Sequence, residues 1–251
     1  ATVYNKLLGL MDYLKNIRTY ELVAFVSGFA LMAYELAGAR ILSPVVGSST
    51  YVWTSIIGVI VAALSLGYAY GGVLADRRVK PSDVALLLLA GSLTVILTIY
   101  LSESVLSAAT QTFHDARMQG LVASIVLFMP TSFVLGMISP YLARLRTASV
   151  ATIGTSVASL SALNAVGGIL GTLCTGFIFF GYFGSNQSML LIGLLLIAAS
   201  WMLVPKQYLA KRTVATVCIM SVGLGAALPA QHNTATSIDT PSARYTITDS
   251  L

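Results

Sequence analysis

The sequence predicts an all-α integral membrane protein of about seven transmembrane helices, and three observations carry that reading. Hydrophobic residues make up 57% of the 251 and charged residues only 9%, against about a quarter charged in a soluble domain. The mean hydropathy is +0.85. The apolar residues also gather into runs of about 20, the length a helix needs to cross a hydrocarbon core. So little charge cannot coat a water-facing surface, which excludes an ordinary soluble enzyme.

The elements follow in order. Residues 1–19 carry Leu7, Leu10, Met11, Leu14 and Ile17 at helical spacing, an amphipathic lead-in suited to the membrane interface. A transmembrane domain then covers 20–229, with spans at 20–42, 52–75, 84–102, 119–143, 154–180, 187–204 and 213–229. Lys15, Arg18 and the later Ala37-Gly38-Ala39 outline a signal peptide, but the apolar run continues through Ile41 and Leu42, which favours a retained span. After Pro229 the chain turns polar and rich in Thr and Ser, and its alternation at Tyr245, Ile247 and Asp249 reads as a linker leading into a strand, over 230–251.

Charge placement orients these spans. With the N-terminus in the cytoplasm, Lys6, Lys15, Arg18, Arg77, Arg78, Lys80, Arg144, Arg146, Lys206, Lys211 and Arg212 fall inside, leaving only Arg40, Arg117 and Arg244 outside. That asymmetry follows the positive-inside rule. It predicts a multi-pass protein of the cell's inner (plasma) membrane, and it accounts for the net charge of +5 without nucleic acid. Cys174 and Cys218 lie in apolar runs, and no ligand spacing, phosphate loop or catalytic triad is visible. No metal, no cofactor and no catalytic residue is expected within this chain.

Two spans carry stripes of small residues. Gly58, Ala62, Ser65, Ala69, Gly72 and Asp76 recur every three or four residues, as do Ser161, Asn164, Gly168, Gly171 and Thr175. Such stripes are packing seams or, with Asn164 demanding polar partners, the wall of a cavity. Span four contains Pro130, Gly136 and Pro140, and span one ends with Pro44 and Gly47. Proline breaks in spans one and four, and small stripes in two and five, outline a weak inverted repeat of three plus three helices, the plan of many transporters.

Glu35 is the residue this plan least expects. It lies about 20 Å along its span, roughly two thirds of the way across the core. A carboxylate there faces protein or water, or is protonated, and is a candidate for binding a solute, cation or proton. Glu35, Asn164 and Tyr34 are the candidate pocket residues; Tyr34 and Trp53 also suit packing or interfacial roles. Arg40 is expected to snorkel outward. Gly72, Asp76 and Arg77 form a second candidate, a charged loop latch, in which Asp76 at a helix C-terminus needs a cation to offset the macrodipole.

"GGVLADRR" resembles the loop after the second helix of major facilitator transporters, with Gly72, Asp76 and Arg77 matching. More broadly, "YELAGARILSPVVGSSTYVWTSIIGVIVAALSLGYAYGGVLADRR", "LGMISPYLARL" and "LNAVGGILGTLCTGFIF" resemble the membrane domain of bacterial spermidine-synthase-like proteins, described as fused transporter-like/spermidine synthases. The tail "DTPSARYTITD" is similar to the opening strand of the aminopropyltransferase domain, with Ser242 where tyrosine is usual. The resemblance implies a membrane domain that anchors an aminopropyltransferase-like domain, a transferase acting on polyamines. The 251 residues hold neither that domain's nucleotide motif nor its catalytic aspartate, so no transferase activity is expected of them alone. The expected partners are the lipid bilayer and the chain's own C-terminal soluble domain. Two alternatives stand beside this reading. One is a transporter or channel for a small cationic solute with Glu35 as counter-ion, and the other is a structural subunit that binds other membrane subunits.

Overall fold

The computed structural model describes residues 2–77, 79–147, 153–203, 216, 235–239 and 244–248, and side chains within 17–77, 79–147, 153–203 and at 216. Helix α1 runs Thr2–Val46, α2 Thr50–Arg77, α3 Pro81–Thr112, α4 Ala116–Arg146 and α5 Ile153–Cys174. A π-helical turn, Thr175–Phe179, continues α5 into α6, Phe180–Tyr182, and α7 spans Ser185–Met202. Among the described residues, six helical segments are long and apolar enough to cross a membrane: Ile17–Val46, α2, α3, α4, Ile153–Tyr182 and α7. The fold is thus that of a helical, multi-pass membrane protein with six such spans rather than seven. Of the expected seventh span, 213–229, only Thr216 is described, where its hydroxyl accepts from the Trp201 indole at 3.2 Å.

Local chemistry sets the helix ends. Gly47 adopts φ +85, the left-handed conformation that closes a helix C-terminus, and its N–H reaches the Ser43 carbonyl at 3.0 Å. Pro81 opens α3 at a position where its missing N–H costs nothing, and the Asp83 carboxylate accepts from the Lys80 N–H at 3.0 Å. Asp115 caps α4 by accepting from the Arg117 N–H at 2.9 Å.

The prolines do not break their helices. Helix α4 is continuous through Pro130 and Pro140, and α1 passes Pro44 before ending. Pro44 leaves the Arg40 carbonyl without its usual backbone donor, and the Ser43 hydroxyl supplies one at 3.1 Å. The irregular backbone lies instead at the π-helical turn of the fifth span.

Helix pairs close through glycine. In the α2–α4 seam, a Cβ on Gly67 would run into the Phe133 carbonyl oxygen, one on Gly71 would meet Met137, and one on Gly136 would meet the Leu64 carbonyl. In the α1–α5 seam, Gly167 abuts the Phe25 carbonyl, Gly171 abuts that of Phe29, and Gly28 abuts that of Asn164. Helix α3 packs on α4 and α7 packs on α1, while α3 and α7 also pack on each other. Helices α2 and α5 are peripheral: 33% of the apolar window of α2 and 22% of that of Ile153–Tyr182 are buried, against 50% or more elsewhere.

This corrects the first stripe. Gly58, Ala62, Ser65, Ala69 and Asp76 are exposed, and nothing lies within 4 Å of a Cβ on Gly58 or Gly72. The buried face of α2 is Val52, Ile56, Ile60, Ala63, Gly67, Gly71 and Ala75. Both faces carry small residues at helical spacing, and only the bulky aliphatics beside the second one distinguish it. The segment after the bundle forms two antiparallel strands, β1 Ala235–Asp239 and β2 Arg244–Thr248, pairing Ala235 with Thr248 and Asp239 with Arg244. One of these strands therefore falls in what the sequence suggests is linker.

The two faces of α2 can be told apart by stability. Gly67→Ala forces backbone apart and is expected to cost about 1–3 kcal/mol, whereas Gly58→Ala changes stability by under about 0.5 kcal/mol. Thermal unfolding in detergent measures both, and equal midpoints would contradict the seam.

Candidate functional site

A small, partly open cleft, about 20 Å³ in cavity volume, lies between α1, α2, α4 and α5. Ala24, Ser27 and Leu31 line it from α1, Leu64 and Tyr68 from α2, Leu135, Ile138, Ser139 and Leu142 from α4, and Leu160 and Asn164 from α5. The back wall is where α1 meets α4, and the side walls are the two peripheral helices. Tyr68 and Ser139 are exposed and Asn164 is half-buried, so their polar groups are accessible. The Ser27 hydroxyl donates to the Val23 carbonyl at 2.8 Å and so serves its own helix. No Asp, Glu, Lys, Arg or His lines the cleft. It offers hydrogen bonds from one amide, one phenol and one free hydroxyl on otherwise aliphatic walls.

The three expected pocket residues do not converge. Asn164 lines the cleft. Tyr34 is fully buried in the core; its hydroxyl donates to the Leu127 carbonyl at 2.9 Å, lies 2.8 Å from Thr98 Oγ1, and its ring meets Phe128 edge-on. Tyr34 therefore ties α1 to α3 and α4. Glu35 is half-buried, one helical turn beyond Leu31, and no described residue forms an ion pair or hydrogen bond with its carboxylate. It stands beside the cleft's α1 face, outside the lining.

Arg40 does not snorkel. It is 7% exposed, with its guanidinium 4.3 Å from the centroid of the Phe180 ring, just past the π-helical turn. A cation over an aromatic face recovers part of its lost hydration. At the same end of the bundle, Arg117 lies 4.0 Å from the Tyr51 centroid.

At the opposite, basic end, the Asp76 carboxylate pairs with Arg144 of α4 at 3.7 Å. The cation that offsets the helix dipole thus comes from the neighbouring helix. Both partners are well exposed, and such a pair contributes under about 1 kcal/mol. Gly72 and Arg77 make no described contact with it, and both partners belong to the helices already joined at the α2–α4 seam.

A second charged cluster at the basic end has almost no signature in the sequence. Arg146 Nη2 lies 2.8 Å from Glu21 Oε1, Arg146 Nη1 donates to the Ser159 hydroxyl, and that hydroxyl lies 3.4 Å from Glu21 Oε1. Its only signal in the sequence is an acid at the start of one span and an arginine at the end of another. Nothing in the spacing of residues 21, 146 and 159 announces that they meet.

Tyr34→Phe removes a buried hydroxyl that bonds α1 to α3 and α4, and is expected to destabilise the bundle by about 1–2 kcal/mol. Thermal unfolding measures it; a variant as stable as the parent would assign Tyr34 another role. Comparison with known proteins finds no matching family model, no similar curated protein and no similar solved structure.

Proposed function

We propose that this chain is the membrane-embedded, transporter-like domain of a spermidine-synthase-like protein, with its N-terminus cytoplasmic, and that its cleft is a solute site between two inverted repeats. The observation that carries the reading is a correspondence between the two glycine seams. Adding 100 to an α2 number and subtracting 108 from an α4 number turns Gly67, Gly71, Phe133 and Gly136 into Gly167, Gly171, Phe25 and Gly28. The same shifts relate the contacts themselves, glycine against carbonyl in each case. They also bring "FVLG" at 133–136 onto "FVSG" at 25–28. Helix α3 packing on α4 then corresponds to α7 packing on α1.

Under that exchange the cleft lining maps largely onto itself. Ser27 exchanges with Leu135, Leu31 with Ser139, and Leu64 with Asn164, and all six line the cleft. The cleft thus straddles the pseudo-two-fold axis, where transporters built from inverted repeats hold their substrates. The exchange also makes the site chemically lopsided, because each pair sets one polar side chain against one aliphatic. The basic residues Arg18, Arg77, Lys80, Arg144 and Arg146 gather at one end of the spans, which favours a cytoplasmic location for that end.

The hairpin β1–β2 favours the anchoring role. Two strands alone are marginal in water, and although β2 also touches α1, further strands of a soluble domain beside the membrane would complete the sheet. That domain, by resemblance an aminopropyltransferase-like transferase, is the partner this reading names. Glu35 favours solute transport, with a small cation as cargo. A carboxylate one turn past Leu31, with no partner among the described residues, is a counter-ion in waiting.

Two experiments test these roles. Proteoliposomes carrying the chain are expected to accumulate one or more of a panel of radiolabelled monoamines, diamines and guanidines. Glu35→Gln and Asn164→Leu are each expected to reduce that uptake about tenfold or more; flux no greater than in empty liposomes across the panel removes the transport reading. Limited proteolysis of native membranes is expected to leave a folded, protease-resistant fragment that contains 235–248. Rapid digestion of that region with no protected fragment would remove the anchoring reading.

A further inference from the structure

We propose that Arg146, with Glu21 and Ser159, is a clasp that holds the cleft closed toward the basic end and opens to admit solute from that side. The inference rests on the cleft reading above and adds how the site is controlled. Its starting point is the mechanical division of the bundle. The α1–α5 and α2–α4 seams bring backbone against backbone at glycines, so each pair moves as a unit. The cleft lies between the two pairs.

Both bonds that Arg146 makes cross that division, while the Ser159–Glu21 contact stays within the α1–α5 pair. Arg146 belongs to α4, whereas Glu21 and Ser159 belong to α1 and α5. Each residue also adjoins the cleft along its own helix: Leu142 lies one turn before Arg146, Ala24 three residues after Glu21, and Leu160 next to Ser159. The cluster therefore stands immediately beyond the lining toward the basic end. By contrast, the Asp76–Arg144 pair joins α2 to α4, two helices of the same pair, and cannot report or restrain their motion against the other.

Burial separates the two ion pairs as well. The Arg146 and Glu21 side chains are 15% and 30% exposed, against 53% and 79% for Arg144 and Asp76. A partly dehydrated, multiply bonded pair holds its geometry where an exposed one does not. Toward the other end, the two pairs meet through Tyr34, Leu127 and Phe128, which are fully enclosed. That junction offers no charge for water to solvate once separated. Between the two junctions, the charged one is the one whose parted groups water can receive, so it is the one that opens.

Two readouts on the whole chain test the clasp, in a background with Cys174→Ala and Cys218→Ala. The first is the rate at which a membrane-impermeant cationic methanethiosulfonate, added from the basic end, modifies Ser139→Cys in proteoliposomes. The second is the distance between spin labels at Arg144→Cys and Gly154→Cys, one on each pair. Arg146→Gln and Glu21→Gln are each expected to speed modification at least about tenfold and to lengthen the distance. The exchanged pair Glu21→Arg/Arg146→Glu is expected to return both toward the parent. Ser159→Ala removes one hydrogen bond and no charge; it is expected to speed modification about two- to threefold, and it decides the matter where a charge variant fails to fold. Unchanged rate and distance in the folded variants overturn the clasp. A longer distance without faster modification overturns the cleft reading while the clasp between the pairs stands.

Discussion

Close approach of helix backbones at glycine is the constraint on which the rest of this structure depends. In hydrocarbon, apolar side chains gain nothing by leaving lipid for one another, so helices associate where shape lets them come near. Here that happens twice, at Gly67 and Gly71 against Phe133 and Met137, and at Gly167 and Gly171 against Phe25 and Phe29. Each seam is so tight that even one methyl group would meet backbone. The consequence is a bundle made of two stiff pairs, with α3 and α7 packed behind them. The cleft lies where the two pairs face each other.

The second constraint is that backbone polar groups at depth must find partners inside the protein. Proline makes this visible. Helix α4 carries Pro130 and Pro140 and stays continuous. In α1 the Ser43 hydroxyl donates to the Arg40 carbonyl that Pro44 leaves without its backbone donor. Reading proline as a break is sound where water is the alternative partner. Where a hydroxyl such as that of Ser43 stands at the right height, the helix passes through.

How much was legible in the sequence follows from what one dimension encodes. Spans are written in composition and length, and their approximate limits read directly. Asn164 stands out in the sequence because an amide in an apolar run demands partners, and in the structure it lines the cleft. The face of α2 was not, because Gly58–Asp76 and Gly67–Ala75 both satisfy helical spacing; the choice is made by α4, whose Phe133 and Gly136 fit only the second. Tyr34 and Glu35 are adjacent in sequence yet point about 100° apart on a helix, so one is locked in the core and the other stands beside the cleft. The π-helical turn at Thr175–Phe179 has no local signature at all, and neither has the meeting of Glu21, Arg146 and Ser159, which are brought together by tertiary packing alone.

The charges that remain at depth show two solutions to the same problem. Arg40 is enclosed and lies over the Phe180 ring, a placement that spends its charge on structure and pins the segment after the π-helical turn to the end of α1. Glu35, five residues earlier on that helix, is half-buried and has no described partner. Two charges on one span, one engaged by an aromatic face and one left open, are not equivalent. A group already satisfied by the fold has little to gain from a ligand, whereas an unsatisfied carboxylate gains all the stabilisation that a cation can bring. On one span, then, one ionisable side chain holds helices together and the other stands beside the cleft with no partner among the described residues.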